Sequence, residues 1–274
     1  MEKYMSLTGF EFPEENGNKY DLLRQAFSGL EPESSAANLP RAIPARPELG
    51  SVLAEFGPMP DEALFMGVAA DGLPMLLNLH DPVPGSLLIT ADAGAGKTNL
   101  LQTIAQAAGM MHSPKNVQFS VLTSHPEEWS GYERIPNNVG VFPFSANSSK
   151  ELILSLASWA HGNKNSSQSV VMLVDDLETA TNMDLDTRQN LRWLLLHGPG
   201  RRVWPVVTLS TSGHSPNSQS WLETFRTRIY GQIRDQQARN WLSGTNDLQE
   251  IDQPATFTLR EGGRWTNFWL PALD

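Results

Sequence analysis

The sequence predicts an α/β fold: a mostly parallel sheet covered by helices on both faces, with β-hairpins at its flanks. Three observations lead there. The apolar runs in "GSLLIT", "NVQFSVLT", "VVMLVDD" and "VWPVVTLSTSG" are continuous, as in strands buried on both faces. Helical patterns stand between these runs, and strand–helix alternation implies parallel pairing through crossovers. The chain has 274 residues, 40% of them hydrophobic, enough for one large domain with or without an appendage.

The elements follow in order. Within residues 1–30, "KYDLLRQAFSGL" places Tyr20, Leu23, Phe27 and Leu30 on one helical face. Residues 31–50, "EPESSAANLPRAIPARPELG", are rich in proline, serine and alanine and read as a linker or extended arm. Residues 1–50 are therefore expected to be a helix and arm, and residues 51–274 the globular domain. "ALFMGVAADGLPMLLNL" reads as two strands joined at Asp71-Gly72. After the strand "GSLLIT" a helix should start near Lys97 or Thr98 and run to about Met111. "NVQFSVLT" is a strand and "GVFPF" another. "SSKELILSLASWAHG" is a helix with a serine N-cap candidate and a glycine stop. "GNKNSSQS" is a polar loop, "VVMLVDD" a strand ending in two carboxylates, and "LDTRQNLRWLLLHG" a helix. After the strand "VWPVVTLSTSG", the segments "SQSWLETFRTRIYG" and "DQQARNWLSG" read as helical. "ATFTLREGGRWTNFWLPAL" closes the chain as a hairpin turning at Glu261-Gly262-Gly263.

Composition excludes several chemistries. There is no cysteine, hence no disulfide, thiol catalysis or Cys-based zinc site. The six histidines have no metal spacing, "DLETATNMDLD" lacks the glycine and glutamate of a calcium loop, and no nucleophile triad is legible. "MEKYMSLTGFEF" has neither the basic segment nor the apolar core of a signal peptide, and no run approaches the length of a membrane span. A cytoplasmic location is expected, with any membrane attachment made through a partner. The net charge is −10, which argues against coating nucleic acid by charge alone. The charge is uneven. Residues 1–62 hold 11 acidic and 5 basic residues, net −6, while residues 188–264 hold 10 basic residues, all arginine, and 6 acidic, net +4. The acidic N-terminal arm is a candidate surface for a protein partner.

The sharpest motif is a phosphate loop. Its pattern, G-x-x-x-x-G-K-[ST], is met by Ala91-Asp92-Ala93-Gly94-Ala95-Gly96-Lys97-Thr98 with the first glycine replaced by alanine. Successive backbone N–H groups in such a loop form an anion nest, and the following helix adds its positive end. Gly96 lets the backbone approach a phosphate, Lys97 supplies a point charge for the β and γ phosphates, and the Thr98 hydroxyl is a magnesium ligand. Alanine at position 91 is compatible with this if its φ stays negative. The competing reading is a glycine-rich strand-to-helix turn with an incidental lysine.

Such a loop needs a carboxylate at the end of a neighbouring strand to hold magnesium. Asp175 is that candidate, and Asp176 is the candidate for orienting a water, from further back than a glutamate would. The competing reading of Asp176 is a helix N-cap. Ser210, Thr211 and Ser212 end the next strand, where a polar side chain can meet a γ-phosphate or water, or simply mark the strand end. Arg226, Arg228, Arg234 and Arg239, expected on C-terminal helices, are candidates for a finger acting across a subunit interface, or for a solvated or salt-bridged face. Trp129, Trp193, Trp204, Trp221 and Trp241 read as core or interface anchors.

With these motifs in hand, "MGVAADGLPMLLNLHDPVPGSLLITADAGAGKTNLLQTIAQ" resembles the FtsK/HerA superfamily of ring-forming motor ATPases, in which a hairpin likewise precedes the phosphate loop. "GKTNLLQTIA", Asp92 and the double aspartate of "LVDD" look most like EccC, the FtsK/SpoIIIE-type motor of type VII secretion. "LLHGPGRRVWPVVTLSTSG" is similar to the family's Gly-Arg segment and following strand, and "PATFTLREGG" to its closing hairpin. The resemblance covers roughly residues 63–270. It implies a RecA-like P-loop NTPase core, ATP and Mg2+ as cofactors, and a homo-oligomeric, hexameric ring with sites between subunits. It places nucleotide contacts at Asp92, Ala93, Gly94, Ala95, Gly96, Lys97, Thr98 and Asn99, magnesium at Thr98 and Asp175, and catalytic roles at Asp176, Thr211 and Arg202, with Arg201 as the alternative in the Gly-Arg segment. Three positions depart from the family. Ala91 stands for glycine, Asp176 for glutamate and Thr211 for glutamine; the last two argue for slow hydrolysis. "LTSHPEEW" stands where DNA-moving members carry a D-P-K-like segment. The expected function is ATP-driven DNA translocation through a ring. The alternatives are a secretion motor with a peptide cargo and a slow or inactive nucleotide-binding assembly module.

Overall fold

A computed structural model describes residues 46–163, 166–213, 220–261 and 264–273. The amphipathic pattern within residues 1–30, the arm as far as residue 45, and Gly262 and Gly263 of the closing turn lie outside the described residues.

Among the described residues helix α1 (Leu49–Phe56) comes first and crosses the point where the globular domain was expected to begin. Strands β1 (Ala63–Ala69) and β2 (Pro74–Asn78) form the expected antiparallel hairpin, with Leu64 opposite Leu77. β3 (Leu87–Ala91) leads through the phosphate-loop motif into α2 (Lys97–Met111), the bounds read from the sequence. There follow β4 (Val117–Thr123), β5 (Asn138–Pro143), α3 (Asn147–Gly162), β6 (Ser169–Asp175), α4 (Leu177–Thr181), α5 (Leu185–His197), β7 (Val203–Ser210), β8 (Thr227–Tyr230) and α6 (Gln236–Ser243). β9 (Thr256–Glu261) and β10 (Arg264–Trp269) pair antiparallel at the end. The ten strands form one sheet in the order β2-β1-β10-β9-β8-β3-β7-β6-β4-β5. Pairings are parallel from β8 to β5 and antiparallel from β2 to β8, so the two hairpins extend one edge of a parallel sheet.

Period-two alternation divides each central strand between two cores. Leu87 and Ile89 of β3 pack with Leu100, Leu101 and Ile104 of α2. Leu88 points the other way, into a cluster with Ile153 and Leu156 of α3 and Leu191 and Leu194 of α5. Each fully buried leucine contributes about 1.5–3 kcal/mol relative to an exposed one. A third cluster seats Leu49 and Val52 of α1 on Phe65, Val68 and Leu76. Trp129 and Trp204 are fully buried core anchors, whereas Trp241 is 36% exposed. Among the described residues no helix is long and apolar enough to cross a membrane.

The structure corrects three local expectations. "SQSWLETFRTRIYG" is not a helix throughout: its Thr-Arg-Ile-Tyr end is β8, inserted between β3 and β9 with Ile229 fully buried. Ser220, Trp221 and Leu222 are helical as expected, but turns closed by Thr224 N–H on the Trp221 carbonyl follow at once, with Trp221, Leu222 and Phe225 all buried. Of the four arginines expected on helices, only Arg239 lies on one. The serine cap of α3 is absent: Ala146 is the N-cap, and Ser149 Oγ donates back to the Ala146 carbonyl at 2.7 Å.

Candidate functional site

In a parallel sheet all strands end at one edge, and here β3, β7 and β6 end side by side, Ala91 facing Ser210 and Val174 facing Val207. β7 lies between the phosphate-loop strand and the carboxylate strand, which are therefore second neighbours and not the direct neighbours the sequence suggested.

The loop between β3 and α2 takes its shape from two glycines. Gly94 has φ +74° and Gly96 φ +93°, the left-handed region that costs other residues about 1–2 kcal/mol. A Cβ on Gly96 would sit 3.3 Å from the backbone of Ala255. Ala91 keeps a negative φ and is fully buried at the strand end. Ala93, Gly94 and Asn99 are exposed at the rim, while Ala95 is buried. Gly96 caps α2, so no side chain satisfies the first N–H groups of that 15-residue helix; they and its dipole face the loop.

Around this loop the structure brings together Lys97, Thr98, Asp92, Asp175, Asp176 and Thr211. Lys97 Nζ donates to the Ala91 carbonyl at 3.1 Å and the Asp92 carbonyl at 2.8 Å. Burial lowers its pKa, against the opposing pull of Asp175, Asp92 and Asp176. An ammonium whose hydrogen bonds go to two neutral carbonyls is poised to exchange them for an anion. Thr98 Oγ1 donates to Asp175 Oδ2 at 2.9 Å, linking the helix start to the end of β6. Burial raises the Asp175 carboxyl above its usual range, opposed by hydrogen bonds from Thr208 and Thr98. A hydroxyl and a carboxylate at a loop mouth are hard oxygen donors, so this pair fits magnesium held by one carboxylate plus a substrate's phosphates.

Asp176 carries the least expected geometry. Its φ is +104°, outside the regions a non-glycine adopts freely. Its carboxylate caps α4: Oδ1 accepts the Glu178 and Thr179 N–H groups at 2.9 and 3.2 Å, and Oδ2 accepts the Thr179 hydroxyl at 2.6 Å. The competing cap reading is thus realised in this structure. Thr211 donates its hydroxyl to Asp92 Oδ1, and Asp92 Oδ2 accepts the Arg234 N–H at 3.0 Å, so the aspartate ties the loop to the end of β7 and to the segment after β8.

Of the arginine candidates, Arg234 adjoins the loop through its backbone N–H on Asp92, while Arg202, Arg228 and Arg239 are held elsewhere. Arg202, in the left-handed region at φ +67°, precedes β7 and donates to the Leu79 carbonyl at 3.0 Å. The eight residues of β7 put it about 25 Å from the loop edge at 3.3 Å per residue. Arg228 bonds the Leu242 and Leu222 carbonyls, and Arg239 pairs with Glu250 at 3.0 Å. Arg201, Arg226 and Arg234 are exposed.

Three residues at the site went unread in the sequence. Thr208 on β7 bonds both aspartates, and the signal for it was a hydroxyl inside an otherwise apolar strand. Ala255, at φ +53°, donates its N–H to the Ala95 carbonyl at 3.3 Å. Arg46 holds that segment in place through the Pro254, Ala255 and Leu270 carbonyls at 2.7, 2.8 and 3.2 Å. Nothing local announced the last two, because their partners lie more than 150 residues away in the chain.

No family model matches this chain, and no curated protein does. Solved structures do. The cytoplasmic domain of the type VII secretion ATPase EccC from Thermomonospora curvata matches with TM-score 0.65 at 15% identity, over 88% of this chain and 29% of that one. ATPases 2 and 3 of EssC from Geobacillus thermodenitrificans match with TM-score 0.64 at 12% identity, over 85% and 48%. The pCW3 conjugation coupling protein TcpA, solved with ATPγS, matches with TM-score 0.59 at 11% identity, over 91% and 81%. The chain spans only about a third to a half of the secretion ATPases it matches. At these identities the likeness is one of fold: the chain shares the α/β fold of these ATPase domains, in agreement with the fold that the sequence resemblance implied.

Proposed function

We propose that this chain binds ATP with magnesium at the 91–98 loop and hydrolyses it, as the motor domain of a ring assembled from copies of itself. The observation that carries the reading is the joining of Lys97, the Thr98–Asp175 hydrogen bond and the uncapped start of α2 at one loop. Loop amides from Gly94 to Thr98 and the Lys97 ammonium hold the phosphates; Asn99 and Ala93 lie at the rim. Thr98 and Asp175 would hold magnesium, which when bound would supply positive charge beside the phosphates. Asp176 orients the attacking water once its carboxylate leaves the α4 cap, and Thr211 and Asp92 set the loop against the end of β7. Arg202, remote from its own loop, acts on a neighbouring copy's nucleotide, and exposed Arg201, Arg226 and Arg234 are further candidates. The ATPase domain comprises residues 51–274 together with the packed stretch from Arg46 to Gly50, and the acidic sequence before Arg46 is the arm for a protein partner.

Translocation of DNA through a hexameric ring is the first form of this function. The test is steady-state ATP hydrolysis across a protein concentration series, with and without double-stranded DNA. Cooperative, DNA-stimulated turnover supports it. Two observations favour other forms. The Asp176 cap favours a slow nucleotide-gated assembly module, for which binding without turnover is the signature. A groove of about 750 Å³ at the opposite end of the sheet, lined by Val83, Trp193, Leu196, Arg201, Glu223 and Arg226, favours a peptide cargo. EccC of Thermomonospora curvata has been solved with a signal sequence peptide. Stimulation of turnover by DNA and not by peptide counts against that form.

A further inference from the structure

We propose that Thr208 is the positioning residue for both aspartates, orienting Asp175 for magnesium and holding the peptide of Asp176; this rests on the nucleotide reading above. Thr208 is 1% exposed and sits in β7 between Val207 and Leu209, where packing alone favours an apolar side chain. Its hydroxyl donates to Asp175 Oδ1 at 2.8 Å and accepts the Asp176 N–H at 2.9 Å. A hydroxyl has one proton to give and two lone pairs, so one side chain serves both neighbours at once.

The consequences differ for the two acids. Asp175 is held through both oxygens, Oδ2 by Thr98 of the loop and Oδ1 by Thr208 of the intervening strand. That fixes the plane of the carboxylate and the direction of its lone pairs. Magnesium demands near-octahedral geometry, so its binding depends on that direction. Thr208 is buried beneath the loop edge, so phosphates gripped by loop amides and Lys97 would not meet it. For Asp176 the same hydroxyl pairs an N–H in a residue at φ +104°, helping to over-determine a strained backbone.

The role therefore separates magnesium-dependent from magnesium-independent nucleotide binding. In the full chain, the affinity for a fluorescent ATP analogue is measured in magnesium and in EDTA, with thermal melts alongside. The variants are Thr208→Val, which keeps shape and strand propensity but loses the hydroxyl, Thr208→Ala as a second hydroxyl-free form, and Thr208→Ser, which restores it. The gain in affinity on adding magnesium should fall about tenfold or more in the valine and alanine variants, as when a residue supporting a metal ligand is lost. Affinity in EDTA should stay within about twofold, and serine should recover most of the gain. An unchanged magnesium gain, an equal loss in EDTA, or failure of serine to recover it overturns the proposal. Wild-type chain that binds no nucleotide, or a Lys97→Ala variant that binds as wild type does, overturns the nucleotide reading itself and is distinguished by those two controls.

Discussion

Replacing Asp176 separates its two roles, because one carboxylate is asked both to cap a helix and to orient a water. Asp176→Ala removes the acceptor of two N–H groups and of the Thr179 hydroxyl. Loss of an N-cap costs about 1–2 kcal/mol, and the φ of +104° stays as unfavourable for alanine as for aspartate. A domain of this size loses about 2–4 °C per kcal/mol, so the melting temperature should fall by roughly 2–8 °C. Asp176→Asn keeps an amide oxygen for the two N–H groups and ranks with aspartate as a cap. Its NH2 replaces the oxygen that accepts the Thr179 hydroxyl, which can turn to accept in its place, and the charge lost at the helix start costs about 0.3–1 kcal/mol. This variant should melt within about 4 °C of wild type. Asp176→Gly loses the cap side chain but relieves a strain of about 1–3 kcal/mol, so it should melt above alanine, in the order usual at an N-cap and by a wider margin. All three lack the carboxylate, and turnover should drop about a hundredfold or more if that group acts on water. Scanning fluorimetry and steady-state hydrolysis on the same preparations report both. The reasoning fails if alanine melts as wild type, if asparagine falls as far as alanine, or if glycine melts below alanine. Asparagine with wild-type turnover removes the water-orienting role.

Three other perturbations reach different parts of the site. Gly96→Ala forces a Cβ into a left-handed residue 3.3 Å from Ala255, so stability should fall by about 1–2 kcal/mol and ATP affinity with it, read by melting and by titration. Asp175→Asn should raise the melting temperature at pH 7–8 while abolishing the magnesium gain. Burial raises the pKa of Asp175 in the fold, so its ionised form opposes folding; the gain should shrink as pH falls towards 3.8 and vanish below it, where wild type is neutral too. Arg46→Ala frees the Pro254–Ala255 backbone from its guanidinium, and the melting temperature and ATP affinity should both fall, with Arg46→Lys recovering only part because an ammonium lacks the planar fork.

The parallel half of the sheet was legible because each strand is a continuous apolar run and each helix carries its own 3.6-residue period. The phosphate loop was legible because its spacing is local: eight consecutive residues contain the whole device. β8 was not, since four residues are too few to show a period, and Arg228 among them reads as surface until its guanidinium is seen on the Leu222 and Leu242 carbonyls. Helix α1 was hidden because its start lies in a proline-rich stretch, and its packing on Phe65 and Leu76 is tertiary. The order of strands decided the rest. Placing β7 between β3 and β6 turned Thr208 from a strand residue into the partner of both aspartates, while Arg202, at the start of β7, lies at the far end of that strand from the loop.

The central claim is that Lys97 and its loop hold a nucleotide's phosphates. Isothermal titration of magnesium-ATP into wild type and into Lys97→Ala tests it most directly, because it needs neither turnover nor cargo. The account predicts binding by wild type and at least a tenfold weaker affinity in the variant, the equivalent of the roughly 1.5–3 kcal/mol of a charged hydrogen bond. Equal affinity in the two proteins, or no binding by wild type at millimolar ATP, contradicts it.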